Sequence, residues 1–166
     1  LHPSYIGDTS SASLERLESF GDTVLTLLVL QHAYMRTGGN VPVATLDMLK
    51  QEATANEVFA YLAVKTNLHK CLQFRDPQLV AVVTNFTPSC TVGQLQLGNI
   101  RSAGDISLAK QLADLFEAIA GAICIESGLE VTWKVVYRIM QSYLQSLIDE
   151  SILFDRVKRL KEIFGD

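Results

Sequence analysis

The segment Glu15-Arg16-Leu17-Glu18-Ser19-Phe20-Gly21-Asp22 leads straight into Thr23-Val24-Leu25-Thr26-Leu27-Leu28-Val29-Leu30, so charges crowd the start of a stretch that is apolar nearly all round. A helix of that composition is expected to be buried on every side. At about 3.6 residues per turn, Glu18 and Asp22 fall one above the other on a single face. Two stacked carboxylates entering a core are unfavourable unless a cation answers them. Whatever the chain folds into must bring something cationic to this helix.

The rest of the chain reads as further helices. Residues 1–12 are polar, Ser11 or Ser13 is the expected cap, and a first helix is predicted from about Ser13 to Arg36 with Glu15 in its first turn. Gly38-Gly39-Asn40 is its stop signal. Beyond Pro42, Thr45 or Asp47 is expected to start a second helix with Leu46, Leu49, Ala53 and Asn56 on one side, and the periodicity continues through Val58, Phe59, Leu62 and Ala63. Thr66-Asn67 marks a turn. Asp76-Pro77 pairs an Asx cap with a proline at the first helical position, so Leu79 to Val83 is read as helix, although its β-branched residues leave a strand open.

Residues 84–108, with Pro88, Gly93, Gly98 and Gly104, read as a long insertion or loop. A second strongly helical segment runs from Lys110 to Ile123, Gly128 ends or kinks it, and a final pair of helices is expected at about 130–147 and 151–163. No internal repeat and no convincing strand pattern stands out. The expected fold class is all-α, in one domain spanning 1–166.

Composition narrows the classes. With 48% hydrophobic and 19% charged residues the chain is no disordered tail. Apolar runs such as Val24 to Leu30 are too short to span a bilayer, so no membrane partner is expected. The opening Leu1-His2-Pro3-Ser4-Tyr5 lacks a basic stretch and an initiator Met, and it reads as the start of a fragment with no visible signal peptide. Cys71, Cys90 and Cys124 are odd in number and form no CxxC pair, which points to reduced thiols in an intracellular protein. Nucleus, cytoplasm and mitochondrion are not distinguished. A net charge of −4 and a pI near 5.3 argue against a stand-alone nucleic-acid binder.

The second helical segment repeats the acidic theme. Asp114 and Glu117, three residues apart, share a helical face. Gly21 lies on the Glu18/Asp22 side of the first helix, and Gly121 follows Glu117 by one turn among Ala118, Ala120 and Ala122. Small residues on both acidic faces let two backbones approach and bring four carboxylates together. Such a cluster does not persist fully ionised without cations. Carboxylates with no His or Cys beside them suit Mg²⁺, with Mn²⁺ as a possible substitute, and not Zn²⁺. Two such ions about 3.5–4 Å apart are suited to phosphodiester hydrolysis, one activating the attacking water and the other stabilising the leaving oxygen. The plainer alternative is a pair of solvated acidic faces, with Arg16 and Lys110 as salt-bridge partners.

Glu15-Arg16-Leu17-Glu18-x-x-Gly21-Asp22 closely resembles the signature of the ribonuclease III family, and Ala113-Asp114-Leu115-Phe116-Glu117-Ala118-x-x-Gly121-Ala122-Ile123 resembles its second acidic motif. Leu1-His2-Pro3-Ser4-Tyr5 is similar to a segment just upstream in that family, and Leu46 to Glu57, with Ala55-Asn56, to its middle helix. The resemblance covers about residues 1–145, in the family's order. It implies a ribonuclease III-type helical endonuclease domain that hydrolyses double-stranded or hairpin RNA, leaving 5′-phosphate and 3′-hydroxyl ends. Carried over, Glu18, Asp22, Asp114 and Glu117 are the catalytic Mg²⁺ ligands. Lys110 matches a lysine near the scissile phosphate in Dicer-type members, with an ordinary surface lysine as the alternative. Glu15 supports the ligands or a dimer surface, or is a plain first-turn acid, and Asn56 sits behind the ligands or caps locally.

Two departures from the family pattern bear on partners. Family domains work as dimers, and bacterial members carry an apolar anchor directly after the second signature Glu, where this chain has Ser19. A homodimer or a heterodimer with another ribonuclease III-like domain both remain open, as does a non-catalytic subunit that joins an active partner or a ribonucleoprotein. The family's N-terminal helix and a following double-stranded-RNA-binding domain are not recognisable in the sequence. Two divalent ions bring the charge from −4 only to about 0, so RNA affinity is expected to come partly from elsewhere.

Overall fold

In the computed structural model of this chain, residues 9–71, 89–91, 94–96 and 106–164 are described. Helix α1 spans Thr9–Thr37. It begins upstream of the expected start, so Ser11 and Ser13 lie inside it and Glu15 lies beyond its first turn. Ser and Thr are only mildly unfavourable within helices, and Thr9 to Ser13 contains no Gly or Pro to stop growth in that direction. The other end closes as anticipated. Gly38 and Gly39 adopt φ 64° and 68°, and their N–H groups donate to the Met35 and Tyr34 carbonyls at 3.3 and 3.0 Å. That pair of bonds satisfies carbonyls the helix end leaves open.

Helix α2 covers Val43–Ala53, starting before the expected Thr45 or Asp47. Pro42 sets the boundary: its φ of −56° and ψ of 151° end the preceding turn, and its carbonyl accepts from the N–H groups of Thr45 and Leu46. Thr45 is buried instead of capping, and its hydroxyl donates to the Asp155 carboxylate at 3.0 and 3.2 Å. The helical periodicity then breaks once. Thr54 returns both its N–H and its hydroxyl to the Lys50 carbonyl, Ala55 is extended, and α3 begins afresh over Asn56–Lys65. Asn56 therefore starts α3 and does not extend the apolar side of α2. A 3₁₀ turn at Leu68–Cys71 follows.

Helix α4 spans Ile106–Phe164 and is broken once, at Gly128 with φ 78° and ψ 170°. It starts inside the stretch read as a loop, and past Gly128 it continues as one helix where two were expected. Ser151 shows why. Its hydroxyl donates to the Leu147 carbonyl at 2.7 Å within the same helix, and Ile148 and Ile152 carry the apolar stripe across onto Ala33 and Leu49. An antiparallel hairpin pairs β1 (Ser89–Thr91) with β2 (Gln94–Gln96), Cys90 opposite Leu95. Strands of three residues are too short to show an alternating pattern. The helix start at Asp76-Pro77, the segment Leu79 to Val83 and most of residues 84–108 lie outside the described residues. The described fold is all-α apart from that hairpin.

Helices α1 and α3 both pack along α4, and α2 bridges α1 to its C-terminal half. The main core joins Leu25 and Val29 of α1 with Phe59 and Leu62 of α3 and Leu112, Phe116, Met140 and Leu144 of α4. Phe59 and Phe116 stack with centroids 5.4 Å apart. Burial of α1 is one-sided, contrary to the all-round expectation. Val24, Leu25, Leu28 and Val29 are buried, while Phe20, Leu27 and Tyr34 are 42%, 51% and 53% exposed. Spaced by seven, these three form one unpacked stripe, because no described helix covers that side.

Candidate metal centre

The site is made by the crossing of α1 and α4. A Cβ added at Gly21 would land on the Glu117 carbonyl, and one at Gly121 would come within 2.5 Å of the Leu17 carbonyl and 3.2 Å of the Gly21 Cα. Here two backbones touch, and no other residue type fits at either position without moving a helix. Glu18 and Glu117 stand one turn before the contact residues Gly21 and Gly121. The crossing that forces glycine therefore forces the acids together.

Glu18, Asp114 and Glu117 each direct a carboxylate oxygen into one group, with those atoms all within 4.8 Å of one another. Glu117 is buried at 6% exposure, while Glu18 and Asp114 are partly exposed. Asp22, the fourth expected ligand, is exposed and falls outside this group. Its charge still reaches Glu117 as the strongest of the like charges there.

Electrostatics records the crowding. Burial first, then the charges of Asp22, Asp114 and Glu18, push the Glu117 carboxyl up to about 8, against a small opposing pull from Lys110. Glu18 is also raised, by burial and then by Asp114, with Lys110 lowering it and Glu15 adding slightly to the rise. Glu15 is thus a neighbour that acts on Glu18 through charge. Three carboxylates in this space resist being ionised together.

The cation the sequence demands is Lys110. Its ammonium donates to both oxygens of Asp114 at 2.9 Å and to Glu18 at 3.5 Å. These contacts raise the Lys110 pKa, the hydrogen bond to Asp114 most of all. Among the described residues Lys110 forms no ion pair with Glu117. Asn56 is exposed at the start of α3, with no hydrogen bond to the carboxylates among the described residues.

The donor set tests the expected cofactor. Oxygen ligands, a buried carboxylate held above neutral pH, and neither His nor Cys in the group fit a hard divalent cation such as Mg²⁺ or Mn²⁺. Among the described residues Lys110 pairs with two of the three acids, and a doubly charged ion reaching all three would compensate them further. The signal that Asp22 stands apart from the other three was not in the spacing, since i and i+4 residues share a face but not a depth.

Comparison with known proteins bears on the same residues. The family model for the ribonuclease III domain matches residues 15–128. Endoribonuclease Dicer-S of Xenopus laevis is 32% identical over 162 residues, covering 87% of this chain and 8% of the relative. Endoribonuclease Dicer homolog 2 of Arabidopsis thaliana is 30% identical over 167 residues, covering 98% and 12%. The chain thus spans about a tenth of the length of these relatives. Among solved structures, the nuclease domain of ribonuclease III from Campylobacter jejuni superimposes with a TM-score of 0.56 at 21% identity, over 84% of this chain and 92% of that one.

Proposed function

The chain belongs to the ribonuclease III family, and from that premise we propose that it is a divalent-metal-dependent endonuclease acting on double-stranded or hairpin RNA. The observation that carries this reading is the three-carboxylate group around buried Glu117. Glu18, Asp114 and Glu117 would hold Mg²⁺, and Asp22 would contribute from the solvent edge. When bound, Mg²⁺ supplies Lewis-acid activation of water and stabilisation of charge on the leaving oxygen. The chain's own part is positional. The Gly21–Gly121 contact fixes the two acidic faces, Glu117 would give up its proton for the site to load, and Lys110, at the exposed rim of the acids, would be available to a phosphate oxygen. Hydrolysis of this type leaves 5′-phosphate and 3′-hydroxyl ends.

Incubation of a duplex RNA with the protein and Mg²⁺, alongside Glu117→Gln, tests the proposal. Wild-type protein is expected to give 5′-phosphorylated fragments and the variant none. Intact RNA in both reactions, at protein concentrations that saturate binding, would sink it.

Dimeric action belongs to the same reading. The exposed stripe Phe20, Leu27 and Tyr34 on α1 supports an association surface beside the site. The polar Ser19, exposed next to it, favours a second possibility, a subunit that pairs with a different ribonuclease III-like domain. Sedimentation of the isolated chain separates them, because a stable homodimer contradicts an obligate hetero-partner. An intracellular location is part of this proposal, and fractionation with an antibody to the chain checks it.

A further inference from the structure

Resting on the metal reading above, we infer that Lys110 is an exchangeable counter-ion, holding Glu18 and Asp114 while the site is metal-free and releasing them when a divalent cation is bound. Features of its placement support exchange over a fixed structural pairing. The lysine side chain is 57% exposed, whereas Glu18 and Asp114 are 25% and 19% exposed, so the cation is the mobile member of the group. Its contact with Glu18, at 3.5 Å, is at the limit of a hydrogen bond.

The helix itself does not favour this lysine. Lys110 is the fifth residue of α4, near the end where a helix repels cations. A lysine four residues before an acid is also the weaker order for a helical pair. What holds the ammonium is the carboxylate group, and it holds only two of the three acids. Buried Glu117 has no ammonium contact among the described residues. A divalent ion able to reach all three has an advantage over an ammonium that reaches two. The released ammonium then stands free at the rim of the site, so metal loading precedes any contact of Lys110 with a substrate phosphate.

Two measurements on the whole chain test this without reading catalysis. Calorimetric titration with Mn²⁺ compares wild-type protein with Lys110→Met, which keeps the aliphatic stem. Loss of two partly exposed ion pairs corresponds to a gain of about fivefold in Mn²⁺ affinity. NMR of the lysine ammonium groups, titrated with Mg²⁺, follows the wild-type side chain directly. The Lys110 signal, identified by its loss in K110M, is expected to shift or vanish on saturation. The Lys134 signal, paired to Glu130 at 2.7 Å elsewhere on α4, is expected to stay.

Tighter Mn²⁺ binding together with a displaced Lys110 signal supports exchange. Equal affinities in the two proteins overturn it while leaving the metal site standing. Tighter binding with an unmoved Lys110 signal also overturns it, since the lysine would then act only through space. Absence of Mn²⁺ binding in both proteins removes the metal reading itself and this inference with it.

Discussion

Burial and the charges of Asp22, Asp114 and Glu18 all drive the Glu117 carboxyl toward its protonated form, with a pKa of about 8. An acid that holds its proton more tightly when folded than when unfolded makes stability fall as pH rises. For Glu117 that window runs from the ordinary value of 4.5 up to about 8. Thermal melts of the metal-free protein are therefore expected to drop in Tm across that range, and Glu117→Gln is expected to flatten the slope. Saturating Mg²⁺ should also flatten it, because the bound ion takes over from the proton. Since His32 is held low by burial and by Arg36, it costs stability at the acid end, so the difference between wild type and variant is the quantity to compare. A difference that does not change with pH would contradict the burial assigned to Glu117.

At the scale of elements, the crossing of α1 over α4 makes the site, and its glycines can be tested separately from its acids. Gly121→Ala puts a methyl group within 2.5 Å of the Leu17 carbonyl, and Gly21→Ala is worse. Gly121→Ala is expected to cost about 3 kcal/mol by urea unfolding, the upper range for overpacking, and Gly21→Ala more. Gly128→Ala is a different case. Nothing lies within 4 Å of the added carbon, but φ of 78° disfavours any side chain, so a loss of about 1–3 kcal/mol is expected from backbone strain alone. If Gly128→Ala proved neutral, the break in α4 would have another cause.

This crossing was readable in the sequence because glycine weakens a helix interior, and its place beside acids in two apolar helices makes sense where backbones must touch. The Gly38-Gly39 stop was readable for a similar reason, a local signal with one physical solution. Other boundaries were not. Ser11 and Ser13 look like caps in isolation, and where a new helix was expected at about 151, Ser151 bonds back to Leu147 inside a continuing helix that packs against Ala33 and Leu49. Thr45 likewise gives its hydroxyl to Asp155, a partner 110 residues away. The depth of Asp22 depends on how far the helices turn about the crossing, which residue spacing does not encode.

For the whole molecule, the proposed function asks an acidic chain to engage a polyanion and, on the dimeric reading, a second protein. No described helix is long and apolar enough to cross a membrane, and in the proposed dimer the exposed stripe on α1 would be the association face. Leu27 is half exposed at its centre. Leu27→Glu is expected to dissociate any dimer formed through this face in sedimentation, with little loss of monomer stability, since an exposed position contributes little to the core. An unchanged sedimentation coefficient in a dimeric wild type would place the interface elsewhere. With a formal charge of −4, the proposed RNA binding would depend on the loaded metal site and on positive charge supplied by a partner.

Calorimetric titration of Mn²⁺ into wild-type protein and Glu117→Gln is the sharpest check on the proposed divalent-cation site of Glu18, Asp114 and Glu117. Saturable binding in the wild type, weakened at least about tenfold in the variant as expected for loss of a buried ligand, is the predicted result. No binding in the wild type, or the same affinity in both proteins, would contradict it.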